Sequence, residues 1–445
     1  MKDVKYLLIA LFITLFFTVN TKAQTQYNLQ QCIAYTLKYN PSVIMSNNDV
    51  DIAYARKREG QSAYLPQVYG QLKWDDNLKL QSTQFPSMSL GGITIPEQTL
   101  QIGNKYNTAA TLQLEQMIFN WSYIQGIKAI QPGYEIAKMK KEKTQQDLVY
   151  NTIAAYYTIL LINENEKLIF QNEERLSKTI SILKLQKEKG VIRQVDVDKV
   201  QVSLNTILSQ EEILAANKSV AFNNLKYAMG MPLDSIIAID TVYNKEVIDL
   251  KTYSDTANVR NRIELQLMRK NIQLQGILQK RITAGYMPQI SFYARYGANA
   301  FGSKFSKSFT NWHDFSALGF SVDIPIFDGL RTSSSLRQSK LNIANLKEDL
   351  KQKEEGLKLQ LINAQAQMDN AVENLNINKA NYEMARNILD VTTLQYQKGV
   401  ISYTDWIGAE YAFKEAEQNY FTAMVKYIQS KLDVDRANNN IYIYK

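Results

Sequence analysis

Two long tracts of the chain repeat their apolar residues with helical spacing. The first follows the i, i+3, i+4, i+7, i+8 rule at Ile153, Tyr156, Tyr157, Leu160 and Leu161. The second uses steps of three, four and seven between Leu350, Leu357, Leu361, Ala364, Met368, Ala371 and Leu375. The positions between them are mainly Lys, Glu, Gln and Asn. Each tract is therefore predicted to be a helix that buries a narrow stripe, as in a coiled coil.

Proline positions set the extent of these helices. None of the eight prolines falls within residues 133–231 or 326–445, and a proline inside a helix costs about 3 kcal/mol. We predict long helices over residues 121–189 and 330–398. At 1.5 Å per residue each would be about 100 Å long.

A glycine follows each long helix and predicts a reversal of the backbone. Gly190 and Gly399 lack the side chain that would clash in such a turn. Returning helices are predicted over residues 192–229 and 403–437. They would pack beside the outgoing helices as antiparallel coiled coils.

Four other stretches alternate between apolar and polar positions, which is typical of β-strands. Their apolar positions are Val68, Gly70, Leu72 and Trp74; Leu100, Ile102, Tyr106, Ala110, Leu112 and Leu114; Ile290, Phe292, Ala294, Tyr296 and Ala298; and Leu318, Phe320, Val322, Ile324 and Ile326. We predict β-hairpins over residues 62–119 and 286–327, with irregular polar links at 81–99 and 301–314. Strands of this length suit a tilted crossing of a bilayer. A half-buried sheet of a soluble protein alternates in the same way.

The two halves of the chain are repeats of each other. Residues Leu185–Ile192 return as Leu394–Ile401 with six of eight residues identical, and Asp196 then matches Asp405. We predict a first structural repeat over residues 24–230 and a second over 258–437, each with a helix, a hairpin, a long helix and a returning helix. An equatorial linker at 231–257 and a C-terminal tail at 438–445 complete the division.

The N-terminus predicts export. Two lysines, an apolar run from Tyr6 to Val19 and a small residue at Ala23 describe a signal peptide over residues 1–23. The net charge of +8 is spread along the chain without a basic block, so nucleic-acid binding is not indicated.

The residue types needed for common catalytic and metal sites are scarce. The chain has one histidine, His313, and one cysteine, Cys32, which argues against a transition-metal site. HExxH, GxSxG, GxGxxG and P-loop patterns are absent from the sequence. We therefore predict no enzyme activity, no metal and no cofactor.

The number of predicted strands indicates that the protein forms an oligomer. Two hairpins supply four strands, which cannot close a barrel, and open edges are not tolerated in lipid. Three copies would give a barrel of twelve strands. Two would give eight, whose interior is filled by side chains.

Several short motifs, in order, resemble the outer membrane efflux protein family, the TolC-like trimeric outer-membrane factors. They are the opening Leu29–Tyr35 with Asn40-Pro41, the Tyr-x-Pro-Gln strand starts at 64 and 286, Phe327-Asp328-Gly329, and the two Gly-x-x-x-x-x-Asp turns. The resemblance implies a mainly α fold with a small β part. Long antiparallel coiled-coil helices and two β-hairpins would complete a 12-stranded transmembrane barrel in a trimer.

The resemblance also implies a function and partners. The trimer would lie in the outer membrane of a Gram-negative bacterium, in contact with its lipid, with a helical tunnel in the periplasm. It would be the exit duct of a tripartite efflux or type I secretion system. A periplasmic adaptor protein would open its tip and connect it to an inner-membrane pump. The alternative from the residues alone is a soluble periplasmic coiled-coil adaptor or structural protein.

The glycine turns resemble the periplasmic tips of that family. The resemblance assigns a periplasmic gate to Asp405, Tyr396 and Asp196. It assigns adaptor docking to Gly190, Val191, Ile192, Gly399, Val400 and Ile401. The sequence departs from the best-known member at Ile401, where that member has a gating arginine, and at Gly408, where it has a second carboxylate. The cargo is not indicated.

Overall fold

The structure is a computed structural model that describes residues 26–90, 93–240 and 259–439, excluding the side chains of 88–95. The predicted signal peptide at 1–23 lies outside the described residues, as do 241–257 of the predicted linker and 440–445 of the predicted tail. The described helices are α1 (Leu29–Tyr39), α2 (Pro41–Ser62), α3 (Trp121–Glu188), α4 (Gln194–Met229), α5 (Ile263–Thr283), α6 (Arg331–Gln397) and α7 (Tyr403–Ala437). The strands are β1 (Gln26–Tyr27), β2 (Gln67–Asp76), β3 (Gln81–Phe85), β4 (Met88–Leu90), β5 (Ile93–Ile95), β6 (Gln98–Ile102), β7 (Tyr106–Asn120), β8 (Ala238–Ile239), β9 (Gln289–Gly302) and β10 (Trp312–Asp323). The predicted fold class, mainly α with a small β part, is confirmed.

Helices α3 and α6 are continuous over 68 and 67 residues. Pro132 lies inside α3, where it removes one hydrogen bond to the preceding turn. Contacts of the same stretch of helix offset that loss. The rings of Tyr54 and Tyr134 lie 6.2 Å apart, and Lys57 Nζ donates to Gln131 Oε1 at 3.3 Å.

The chain divides into two units. The first, which we call the helical unit, comprises residues 1–48, 139–266 and 351–445. The second, the sheet unit, comprises residues 49–138 and 267–350. Each is described separately below.

The helical unit has a core that follows the predicted stripes. All five apolar residues singled out between Ile153 and Leu161 are buried. In the second tract the buried residues include Leu357, Ala364, Met368, Ala371 and Leu375. Cys32 of α1 is fully buried in this core, and burial raises the pKa of its thiol to about 12. It therefore packs as a small apolar residue rather than as a reactive thiol.

The sheet unit contains one four-stranded antiparallel sheet in the order β10-β9-β7-β2. The two predicted hairpins are joined by the β7–β9 ladder, which runs from Tyr106 opposite Gly302 to Asn120 opposite Gln289. Strands β2 and β10 are the outer strands, and each has a single partner within the described chain. Four strands therefore form one open sheet. Of the predicted apolar positions, Leu100 and Ile102 lie instead in β6, which pairs with β3, and Ile324 and Ile326 follow the end of β10 at Asp323.

One face of this sheet is apolar and exposed. Val68, Leu114, Ala294 and Leu318 are successive partners across all four strands. Leu72, Leu318 and Phe320 retain 75%, 76% and 68% of their surface. An apolar face of this extent is not typical of a protein surface in contact with water.

The expectation of an irregular link at residues 81–99 was wrong. Strand β3 pairs with β6, and β4 with β5, in one continuous antiparallel register in which Gln81 faces Ile102 and Leu90 faces Ile93. The Thr, Gln, Ile and Phe residues there favour strands. Pro86 and Pro96 lack the N–H needed for the ladder, so they interrupt the ribbon between β3 and β4 without ending it.

Candidate functional site

The first helix turn, at the end of α3, is closed by a Schellman hydrogen-bond pair. Gly190 N donates to Lys187 O at 2.9 Å, and Val191 N donates to Gln186 O at 2.9 Å. Gly190 has φ of +77°, the left-handed region that favours glycine. A Cβ at Gly190 would meet no atom within 4 Å. The reason for glycine is therefore the backbone conformation and not a lack of space for a side chain.

The second turn, at the end of α6, repeats this geometry. Gly399 N donates to Tyr396 O at 3.0 Å, and Val400 N donates to Gln395 O at 2.9 Å. Gly399 has φ of +72°. The sequence repeat therefore corresponds to a repeated structure.

Of the two residues that follow each glycine, the first has an exposed side chain and the second has a packed one. Val191 and Val400 are 67% and 70% exposed. Ile192 and Ile401 pack against the nearby buried cluster. Each turn thus presents a single apolar side chain to solvent.

Asp405 is the third residue of α7 and closes a capping box. Its carboxylate accepts from Ser402 N at 3.3 Å and from Ser402 Oγ at 2.7 Å. Ser402 Oγ in turn accepts from Asp405 N at 3.2 Å. The Asp405 carboxylate is exposed and satisfies the start of its own helix.

Asp196 occupies the same position at the start of α4 but makes different contacts. Its carboxylate lies 3.7 Å from Arg193 and 3.6 Å from Lys199. No side chain caps α4 at Arg193. Asp196 therefore stabilises the helix start by charge alone.

Tyr396 is buried beside Asp196 and is the centre of an aromatic group. Its ring stacks on Trp406 with centroids 5.2 Å apart and lies 6.1 Å from Tyr403. Trp406 Nε1 donates to Thr393 Oγ1 at 3.0 Å. The Tyr396 hydroxyl is buried and has no hydrogen-bond partner among the residues that the structure describes. Burial, with the negative charge of Asp196 and the neighbouring Tyr403, raises its pKa to about 12.

A buried ionic cluster lies further from the turns and connects α3 to α7. Arg175 Nη2 lies 3.2 Å from the carboxylate of Glu410, whose side chain is 1% exposed. The same nitrogen donates to Asn172 Oδ1 at 3.0 Å, and Asn172 Nδ2 donates to Glu417 Oε2 at 2.8 Å. The guanidinium also lies over the ring of Phe413 at 5.0 Å. Arg175 therefore forms an ion pair with Glu410 and is connected to Glu417 through Asn172.

Burial dominates the acidity of both carboxylates. It raises the pKa of Glu410, against the opposing charges of Arg175 and Lys414. It also raises the pKa of Glu417, against the hydrogen bond from Asn172 and the charge of Arg175. A cavity of about 420 Å³ borders Asn172, Glu417 and Lys414, so this cluster is adjacent to space that solvent can fill.

The structure places Asp196 close enough to Tyr396 for its charge to act on that hydroxyl. It also contains the ionic cluster, which was not predicted from the sequence. The available signal was helical spacing, since Glu410 follows Trp406 by four residues and precedes Phe413 by three. That spacing places a carboxylate on the buried stripe of α7.

None of the helices in residues 26–90, 93–240 and 259–439 is long and apolar enough to cross a membrane. Over the same ranges, no group of three or more His, Cys, Asp or Glu residues is placed to hold a metal ion.

Comparison with known proteins finds relatives over most of the chain. TolC of Escherichia coli (strain K12) is 21% identical over 430 residues, covering 92% of this chain and 82% of TolC. The proteases secretion protein PrtF of Dickeya chrysanthemi is 22% identical over 273 residues, 58% of each protein. Among solved structures, CusC is similar with a TM-score of 0.75 and 14% identity, covering 93% of this chain and 92% of CusC. The likeness to CusC shows a shared fold.

A family model also matches most of the chain. The sequence model of the family described as "Outer membrane efflux protein" matches residues 32–231 and 260–440. These two segments contain both helix turns and all four strands of the sheet. Because the match covers well over half of the 445 residues, the chain belongs to the outer membrane efflux protein family.

Proposed function

We propose that three copies of this chain form an exit duct, in which their sheets close a 12-stranded barrel and their helices form one periplasmic tunnel. The duct is the outermost part of a tripartite efflux or type I secretion system. Family membership places the chain in the outer membrane of a Gram-negative bacterium as an efflux or secretion channel. The stoichiometry, the partners and the opening mechanism are the proposal.

The observation that carries the proposal is the open sheet. Strands β2 and β10 have unpaired outer edges, and unpaired backbone groups in lipid cost several kcal/mol each. Pairing β10 of one copy with β2 of the next satisfies both edges. Three sheets of four strands then give an even-numbered barrel with room for a channel.

Exposed stripes on the helices support contact between copies. On α4 the exposed apolar residues include Val195, Val202, Ile213, Val220 and Tyr227, and on α6 they include Ile377, Met384, Ile388 and Val391. Most of these residues are seven apart, the repeat of a coiled-coil seam. A helix that has already buried one stripe and carries a second is suited to a helix of a neighbouring copy.

The gate is proposed at Asp405, Tyr396 and Asp196. The exposed Asp405 carboxylates of three copies would meet near the symmetry axis, where like charges repel or attract cations. Tyr396 supports the arrangement, because its ring stacks on Trp406, which directly follows Asp405 in α7, and the charge of Asp196 acts on its hydroxyl. The best-known family member has an arginine and a carboxylate where this chain has Ile401 and Gly408. A salt bridge between those positions is therefore replaced by the polar group of Asp405, Tyr396 and Asp196.

Adaptor docking is proposed at the two tips, Gly190–Ile192 and Gly399–Ile401. The exposed Val191 and Val400 are single apolar contacts on a rigid, glycine-closed turn. A periplasmic adaptor that binds these tips better in the open state shifts the population towards it. The adaptor then connects the duct to an inner-membrane pump.

The alternative, a soluble periplasmic adaptor or structural protein, explains the coiled coils but not the exposed apolar sheet face. The relatives favour a channel: TolC is named an outer membrane protein, and PrtF a protease secretion protein. CusC was described in terms of transmembrane channel formation. Both efflux and polypeptide export are compatible with a generic duct.

Cell fractionation followed by planar-bilayer recording tests the proposal. The duct predicts a heat-modifiable trimer in outer-membrane fractions that conducts ions after reconstitution. A soluble periplasmic monomer without conductance would contradict it. Co-purification with an adaptor and a pump would then identify the system and its cargo class.

A further inference from the structure

A cavity of about 360 Å³ lies in the sheet unit at the junction of helices and strands. It falls within the roughly 300–1,000 Å³ typical of small-ligand sites. Its polar lining consists of Ser122, Arg281, Arg331, Thr332 and Ser335.

The side chains that line this cavity carry a net positive charge, which the nearby Asp328 carboxylate partly offsets, since the charge of Arg331 helps to lower the pKa of Asp328. No carboxylate is among its lining residues, and neither Arg281 nor Arg331 forms an ion pair with any residue of the described ranges. The nearby Asp328 carboxylate accepts from Thr332 N at 2.9 Å and caps α6. Two arginine side chains that line one cavity favour the binding of an anion, and phosphate oxygens match the donor geometry of a guanidinium.

The Arg281 side chain lies against α3. A Cβ added at Gly126 would lie 3.6 Å from Arg281 Cδ and Nε, so the guanidinium stem lies against a bare stretch of helix. Ser122 Oγ donates to the Arg281 carbonyl at 3.1 Å.

The cavity lies at the level where the proposed barrel leaves the membrane. Strand β7 passes into α3 at Asn120–Trp121, β10 ends at Asp323, and α6 begins at Arg331. The connection before α6 exposes apolar side chains, with Ile326, Phe327 and Leu330 exposed by 94%, 81% and 66%. Exposed apolar side chains next to two arginines are suited to a lipid, whose acyl chains would contact the apolar residues and whose headgroup would contact the arginines.

We propose that this cavity binds a phosphate group, supplied by a glycerophospholipid of the periplasmic leaflet. Arg281 and Arg331 would bind the phosphate oxygens, and the hydroxyl of Ser335 would donate to them. The exposed apolar residues Ile326, Phe327 and Leu330 would contact the acyl chains. The site would fix the depth of each protomer in the bilayer.

Native mass spectrometry of the purified, delipidated channel tests this. Dioleoylphosphatidylglycerol is added to the wild type, to the double variant Arg281→Gln/Arg331→Gln and to Lys280→Gln. The control removes a positive charge from the adjacent exposed position outside the lining. We expect the wild type and the control to bind the lipid equally and the double variant to bind it at least ten-fold more weakly.

A second arm separates the two sources of phosphate. Calorimetric titration with inorganic phosphate should show weak or no binding if the lipid is the ligand. Arginine-dependent binding of inorganic phosphate without binding of the lipid would support the phosphate site and make the free anion its ligand. Equal binding of both probes by all three proteins would overturn the inference. Conductance measured on the same samples keeps the outcome separate from the proposed channel function.

Discussion

Arg175 of α3 lies 3.2 Å from the carboxylate of Glu410 of α7, and Glu410 is 1% exposed. This contact connects an outgoing helix of the first repeat to the returning helix of the second. Breaking a buried pair by removing one partner leaves the other charge buried, which costs roughly 3–5 kcal/mol.

The first prediction is that Arg175→Met destabilises the helical unit by about 3–5 kcal/mol. The double variant Arg175→Met/Glu410→Leu should recover much of that loss, because no buried charge remains. Denaturant unfolding followed by circular dichroism measures both. Glu174→Gln is the matched control, since Glu174 forms a solvent-exposed pair with Lys178 worth about 0–1 kcal/mol. A double variant as unstable as the sum of its single changes would contradict the pairing.

The second prediction concerns pH. The folded pKa values of Glu410 and Glu417 are raised above 4.5, chiefly by burial. A carboxyl group with a raised folded pKa destabilises the folded state while it is charged, and protonation removes that penalty. Protection of α7 amides should therefore increase as the pH falls from neutral through the raised pKa values towards 4.5. Hydrogen exchange, corrected for intrinsic rates, measures this, and Glu417→Gln should flatten the profile. A decrease in protection over that range would contradict the assignment.

The third prediction concerns Tyr396. Its hydroxyl is buried without a partner in the protomer, and an unsatisfied buried group costs about 1–3 kcal/mol. Tyr396→Phe keeps the stack on Trp406 and should leave the isolated protomer as stable or about 1 kcal/mol more stable. In the trimer the same change should alter resting conductance if Tyr396 is part of the gate. Unchanged conductance would remove Tyr396 from the gate.

The fourth prediction separates gating from capping at Asp405. Asp405→Asn removes the charge and should alter single-channel conductance and cation selectivity. Ser402→Ala disrupts the same capping box at a cost of about 1 kcal/mol while keeping the carboxylate. Equal effects of the two changes would mean that Asp405 acts only as a cap.

The fifth prediction concerns the turns. Gly399→Ala places a side chain at φ of +72° and should destabilise the tip by about 1–2 kcal/mol. Gly356→Ala, inside α6 and with no atom within 4 Å of the added Cβ, should instead stabilise the helix by about 0.5–1 kcal/mol. Hydrogen exchange at residues 394–403 measures the difference. Equal exchange in both variants would argue against a conformational requirement at Gly399.

Periodicity and repeats in the sequence were sufficient to predict the long helices and the two hairpins, but not the β7–β9 ladder that joins the hairpins into one sheet. The stripe from Ile153 to Leu161 is buried as expected, because a long tract with one apolar face has few other ways to fold. The ribbon at residues 81–102 was not foreseen. Its Ser, Thr and Gln residues are common in loops as well as strands, and Pro86 and Pro96 interrupt the pattern.

The ionic cluster also could not be deduced from composition. Glu410 resembles the solvated glutamates of the same helix, and only the position of Arg175 on another helix shows that it is buried and paired. The partnerless hydroxyl of Tyr396 is likewise a property of packing between helices that are distant in sequence. Such features depend on which helices become neighbours, which periodicity does not specify.

Electron cryomicroscopy of the protein extracted from the outer membrane tests the central claim most directly. The account predicts a three-fold symmetric particle in which β10 of each protomer is hydrogen-bonded to β2 of the next, with three Asp405 side chains around the axis at the tip. A particle in which either edge strand remains unpaired, or in which a different number of copies closes the barrel, would contradict it.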